Sequence, residues 1–224
     1  MVSCGANKSY TLSGSVADST FNGATAYLYI NGEATDSVAV ADNAFAFTGE
    51  VENPSMARVQ LQQDKKRVRA TVVLEPGQIA VEIIDRSTAN VSGTPLNDAY
   101  QAYTTATNEA YSTYREGYMA LRQNKELTDE ARNEEIKKIR KVYTDICEAL
   151  DSELFAAHKE DVLGATAMLN LSDYDAVKFD SLYSIAGEAV KNAPNVVKEK
   201  ARCEAVKNTS EGKMFVDFTI EKGN

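Results

Sequence analysis

"SGTPLNDAY" occupies residues 92–100, and its reading divides the chain. Thr94 is placed to cap a helix. Pro95 follows at the first helical position, where a missing N–H is no loss. Beyond it Tyr100, Tyr103, Thr107, Tyr111, Tyr114, Tyr118 and Leu121 recur three and four apart, which is one face of a helix. Before it lie short alternating segments broken by Gly, Asn and Asp. This change of period predicts an α+β protein: an N-terminal antiparallel β-sandwich or small barrel, then an α-helical array.

Upstream, "SYTLSGSV" (9–16) and "TAYLYI" (25–30) alternate as strands do. "DSVAVADNAFAFTGEV" (36–51) reads as a hairpin. Its Asp42–Asn43 turn uses residues that tolerate the left-handed conformation. "MARVQLQQ" (56–63) and "RVRATVVLEPG" (67–77) are separated by a charged "DKK", and "QIAVEII" (78–84) follows the Pro76–Gly77 turn. Downstream, Thr128 can cap a second helix whose apolar stripe is Ile136, Ile139, Tyr143, Ile146, Leu150, Leu154 and Ala157. A short helix is expected over Val162 to Leu169. Ser172 is expected to cap another that carries Val177, Leu182, Ile185 and Val190 and ends before Pro194. A last helix is expected from about Val196 to Val206. The expected domains are an all-β domain over 9–93 and a helical domain over 94–208. Residues 1–8 read as a tether. "EGKMFVDFTI" (211–220) has the alternation of a new strand within a final segment, 209–224.

Composition narrows the function. The chain has 224 residues, 43% hydrophobic and 25% charged, and a net charge of −9. These are ordinary values for a globular protein with its own core. Acid exceeds base on both sides of the junction, 10 to 7 through residue 93 and 20 to 15 over 94–208. No segment carries the basic footprint of a phosphate-backbone binder, so no nucleic-acid partner is expected. The cysteines Cys4, Cys147 and Cys203 are too scattered for a disulfide framework or a zinc site. Cys147 and Cys203 read as small core residues on helices, with a disulfide open to them if those helices pack together. His158, the lone histidine, falls at a helix end, where the dipole favours a cation. The tyrosine stripe, and Tyr27 with Tyr29 on one strand, read as packing faces. The other reading is a groove for a partner chain or a sugar-like ligand. "DKKRVR" (64–69) reads as a solvated loop and strand start, and the turn accounts for "LEPG" (74–77), including Glu75. No catalytic, cofactor-binding or metal-binding residue is nominated, and no cofactor is expected.

Several pieces in order carry a resemblance: "YTLSG" (10–14), "AYLYI" (26–30), "DSVAV" (36–40), "FAFTGEV" (45–51), Pro54, "VVLEPG" (72–77) and "VSGTPLND" (91–98). Together they resemble the N-terminal β domain of uncharacterised function found on periplasmic thioredoxin-like proteins. In that family a lipoprotein signal precedes the domain. A helical segment and a thioredoxin-fold domain of the thiol–disulfide interchange or peroxiredoxin-like type follow it. "TSEGKMFVDFTI" (209–220) resembles the entry to that last domain, with Gly212, Asp217, Phe218 and Thr219 at the matching places. The chain departs from the pattern in holding no Cys-x-x-Cys. The resemblance therefore implies a non-catalytic N-terminal region of a thiol–disulfide oxidoreductase, cut short within its redox domain. Its partners would be that C-terminal thioredoxin-like domain and periplasmic protein substrates. "MVSCG" resembles a lipobox, which implies a lipid on Cys4 and anchorage to a membrane facing the periplasm of a Gram-negative bacterium. A cysteine with no role near a chain terminus is the plainer reading of the same residues. The alternative for the whole chain is a freestanding cell-envelope module that binds a ligand or protein and has no redox role.

Overall fold

The computed structural model describes residues 8–173 and 175–209. Strands β1 (Ser9–Val16), β2 (Thr25–Ile30), β3 (Glu33–Ala39), β4 (Ala44–Glu50), β5 (Ser55–Gln63), β6 (Lys66–Leu74), β7 (Gly77–Ile83) and β8 (Ala89–Ser92) form two four-stranded sheets. Their orders are β4-β1-β7-β8 and β3-β2-β5-β6. Period-two alternation decides what each strand buries: β1 turns Tyr10, Leu12 and Val16 inward, and β4 turns Phe45 and Phe47 inward. Leu12, Phe47, Ile79 and Ile83 of one sheet share a core with Leu28, Val59, Leu61 and Leu74 of the other. Each such side chain contributes about 1.5–3 kcal/mol by leaving water. Gly14 pairs with Phe45 across β1 and β4. A Cβ at Gly14 would sit 2.0 Å from the Phe45 ring, so the aromatic fills the place of the missing side chain. The α+β architecture expected from the sequence is the one observed.

Two features differ from expectation within the sandwich. The Asp42–Asn43 turn is real, with both residues at positive φ and Ala41 and Ala44 exchanging backbone hydrogen bonds of 3.0 and 2.8 Å. It does not close a hairpin. β3 leaves it to pair with β2, and β4 leaves it to pair with β1 in the other sheet. Asn22 pins the turn, accepting from Asn43 N–H and donating to the Asn43 carbonyl Oδ1, both at 2.7 Å. The turn thus joins two layers. In addition, β7 runs parallel to β1 while the remaining pairs of named strands are antiparallel. β6 and β7 lie in different sheets, so β7 takes its direction from a crossover at Pro76–Gly77. The short β8 completes that sheet's far edge.

Two long helices follow, α1 (Pro95–Gln123) and α2 (Asp129–His158). Tyr114 stacks on Tyr143 at 5.2 Å between centroids, and Tyr111 meets the same ring edge-on. Arg132 holds the connection by donating to the carbonyls of Leu121, Asn124 and Leu127. The described residues form two compact units, one reaching Leu150 and the other beginning at Asp151, within α2. The second unit contains α3 (Val162–Ser172), α4 (Ala176–Ile185), α5 (Glu188–Lys191) and α6 (Pro194–Thr209). It buries Leu163, Met168, Phe179, Val190, Val196 and Cys203.

The helix patterns needed adjustment. Ser172 is the last residue of α3, and its hydroxyl donates to the Leu169 carbonyl. The cap of α4 is Asp175, whose carboxylate accepts from Val177 and Lys178 N–H. Val177 and Ile185 of α4 face outward and Phe179 is buried, and Val190, expected on the same helix, belongs to the separate α5. Ile146 and Ala157 are exposed rather than part of a buried stripe. Cys4, the 211–220 strand reading and most of the final segment lie outside the described residues.

Candidate functional site

The start of α1 is fixed by buried polar groups. Thr94 occupies the cap position but makes no side-chain bond to the helix backbone. That task falls to Glu75, at the end of β6, whose Oε1 accepts from Leu96 N–H at 2.8 Å and from Asn97 N–H at 3.3 Å. An anion suits the positive end of the helix dipole. Asn97 is fully buried. It accepts from Val73 N–H at 2.9 Å and donates to the Val73 carbonyl at 2.7 Å and to Thr94 Oγ1 at 2.8 Å. It thereby replaces a neighbouring strand on the outer edge of β6. On the other sheet's edge, Gln101 Oε1 accepts from Val91 N–H of β8 at 2.7 Å. One helix therefore satisfies edge groups of both sheets, which protects them from pairing with another chain. Gly93 makes the approach possible, since it adopts φ +97 and a Cβ there would lie 2.4 Å from the Gln78 carbonyl oxygen.

A cleft of about 520 Å³ opens where β6, β8 and α1 meet. Its charge comes from Arg69 on β6 and Arg86 on the loop after β7. Among the described residues neither guanidinium has an ion-pair partner, and no carboxylate lines the cleft. The loop is held in shape by Asp85, which accepts from Ser87 N–H, Ser87 Oγ and Thr88 N–H at 2.7–2.9 Å. Those bonds hold the Asp85 carboxyl below its ordinary value. Polar hydrogen-bonding groups come from Thr71, Tyr100, Thr104 and Asn108, with the half-buried Ala89 beside them. Burial pushes the Tyr100 phenol up, against the effect of a hydrogen bond with Thr71, so the group stays neutral. Next along the same face of β5, Arg58 is the cross-strand neighbour of Thr71 and lies 4.7 Å from the Tyr29 ring centre. Its buried Nε lacks a hydrogen-bond partner. The tyrosines Tyr27 and Tyr29 thus belong to a polar, aromatic outer face with Arg58.

A second cleft, of about 620 Å³, lies in the second unit between α3 and α6. There Arg202 is neutralised by Glu199 at 2.6 Å, and Arg202 in turn holds the Glu199 carboxyl low. Lys198 and Arg202 there face two carboxylates, Asp173 and Glu199, whereas no carboxylate lines the first cleft, which favours the first as an anion site.

Cys147 and Cys203 are free thiols, on α2 and α6. His158 closes α2 and pairs with Asp161 at 2.8 Å, in a turn that leads into α3. Glu75, which the turn seemed to explain, is a buried helix cap, and Arg69 of the "DKKRVR" run lines the cleft. Asn97 and Gln101 gave no signal of their own, because their partners are strand edges 24 and 10 residues away.

Residues 10–100 match the family described as a domain of unknown function, DUF4369. The DUF4369 match begins at the first buried residue of β1 and ends at Tyr100, in the second turn of α1. It therefore takes in Glu75, Asn97 and the Arg69 and Arg86 sides of the cleft. No curated protein matches the chain. Among the described residues no helix is long and apolar enough to cross a membrane.

Proposed function

We propose that the chain is the non-catalytic N-terminal region of a periplasmic thiol–disulfide oxidoreductase, which positions a thioredoxin-like domain or recruits protein substrates to it. The carrying observation is the DUF4369 match. It covers the stretch whose ordered pieces, from "YTLSG" to "VSGTPLND", resemble the N-terminal domain of periplasmic thioredoxin-like proteins. Thiol chemistry points the same way. Burial, then the nearby Glu199 carboxylate, pushes the Cys203 thiol up, opposite to what an attacking thiolate needs. In this reading Cys4 carries a lipid and holds the protein at a membrane of a Gram-negative bacterium. Disulfide exchange through a mixed disulfide belongs to the partner domain. With dithiothreitol as reductant, the chain should precipitate insulin no faster than buffer does, and turnover by the chain alone would refute the non-catalytic reading. Reading the native gene past the codon for Asn224 tests the redox half: a frame lacking Cys-x-x-Cys removes it.

The second reading is a freestanding cell-envelope binding module. The cleft with two unpaired arginines favours it.

A further inference from the structure

We infer that the cleft between β6, β8 and α1 binds a small acidic sugar-like ligand: a polyhydroxylated ring bearing one carboxylate or phosphate. The inference stands with or without a redox neighbour. Charge gives the first argument. The chain carries a net charge of −9, and several of its surface cations hold a carboxylate. Lys137, Lys138, Lys141 and Arg132 all take one. Among the described residues Arg69 and Arg86 do not. Asp85 is occupied by Ser87 and Thr88, and Glu82 accepts from Asn90 at 2.9 Å. Two unpaired guanidinium groups on one cleft suit an oxyanion, which each can bind through a planar pair of N–H donors.

Size and lining give the second argument. About 520 Å³ falls within the range of small-molecule sites and exceeds what a bare anion needs. The lining is polar and neutral beside the arginines: Thr71 and Tyr100, which bond each other, Thr104, whose hydroxyl donates to the Gln101 carbonyl and can still accept, and Asn108. Hydroxyls and an amide suit the polar edges of a sugar ring. The supports are already in place: Asp85 organises the Arg86 loop, and Gln101 ties α1 to β8.

The test is NMR titration of the full chain with glucuronate, glucose 6-phosphate, glucose, acetate and inorganic phosphate. Saturable shifts are expected for glucuronate or glucose 6-phosphate at the amides of Val91, Tyr100 and Thr104. The tighter of the two names the anion. Arg69→Gln and Arg86→Gln should each weaken that binding tenfold or more. Arg67→Gln, on the same strand but bonded to Gln62, should leave it within twofold. Unchanged Val91 and Leu12 amide positions in the variants show that the fold is kept. No binding overturns the inference. Glucose binding as tightly as the acids removes the anion site, and acetate or phosphate binding as tightly as the sugar acids removes the ring site. Insensitivity to both arginine substitutions also overturns it.

Discussion

The sandwich and the long helical pair are specified in opposite ways. Between the sheets, buried side chains from β1 to β8 form one contiguous cluster, and the β1–β4, β1–β7 and β2–β5 pairs join strands well separated in sequence. Along α1 and α2 as far as Leu150, the buried side chains among the described residues are Asn97 and Ile136. Tyr111, Met119, Val142 and Ile146 are 42–59% exposed. The helices are held instead by tyrosine ring contacts and by exposed ion pairs such as Lys137–Glu134 and Lys141–Asp145. Such pairs lie within one helix and are screened by water, so they add little. The helix pair therefore rests on local terms plus one anchor, the buried polar cluster at the start of α1. A structure built this way can keep its sandwich while the far end of the pair opens, because little core is shared there.

The comparison breaks first if the sandwich core proves forgiving. Phe47 is fully buried between the sheets. Phe47→Ala should cost about 3–5 kcal/mol, the usual range for emptying an aromatic site in a packed core. Hydrogen exchange would read the loss across β1, β4 and β7. A cost below about 1 kcal/mol would mean that the core relaxes into the cavity, and the contrast with the helices would go.

The anchor comes next. Asn97→Leu keeps the size of the side chain and removes its three hydrogen bonds, which leaves the Val73 N–H and carbonyl buried without partners. Unsatisfied buried groups cost about 1–3 kcal/mol each, so a loss of about 2–4 kcal/mol is expected. The added exchange should appear in β6 and the first turns of α1, and should leave β3 unchanged. A uniform loss over all strands would show that Asn97 is part of the core's cooperativity and not a local clamp.

These two sites also differ in how far the sequence disclosed them. Phe47 was legible because alternation in "FAFTGEV" follows from strand geometry alone. So were the bounds of β1 and β2, and the Asp42–Asn43 turn. The partners of that turn's strands were not legible. A two-residue turn reports local backbone angles, and the choice of sheet depends on β1 and β2, which flank no part of it. The parallel β1–β7 pair was hidden for the same reason. Asn97 read as an ordinary first-turn residue, since its value lies in Val73. Arg69 is exposed, as the charge run suggested, and only the structure shows that it also lines a cleft with residues of β8 and α1. On α4, a capping Ser172 and a capping Asp175 fit the sequence equally. The structure decides for Asp175, whose carboxylate accepts from Val177 and Lys178 N–H, because Ser172 still belongs to α3.

The smallest effect tests the helical pair. Tyr143 is half-buried and receives both Tyr111 and Tyr114. Tyr143→Ala removes those ring contacts, and aromatic pairs are worth about 0.5–1.5 kcal/mol beyond the area they bury. The expected loss is near 1 kcal/mol, seen as faster exchange in α1 around residues 111–118 while the strands stay protected. Tyr143→Phe separates ring from hydroxyl. The phenol is hydrogen-bonded to Cys147, which is the main cause of its raised pKa. If stacking carries the contact, Phe should restore most of the protection. Should Tyr143→Ala cost as much as Phe47→Ala, the helices must share a packed core after all, and the division between a non-locally built sandwich and a locally held helix pair would have to be withdrawn.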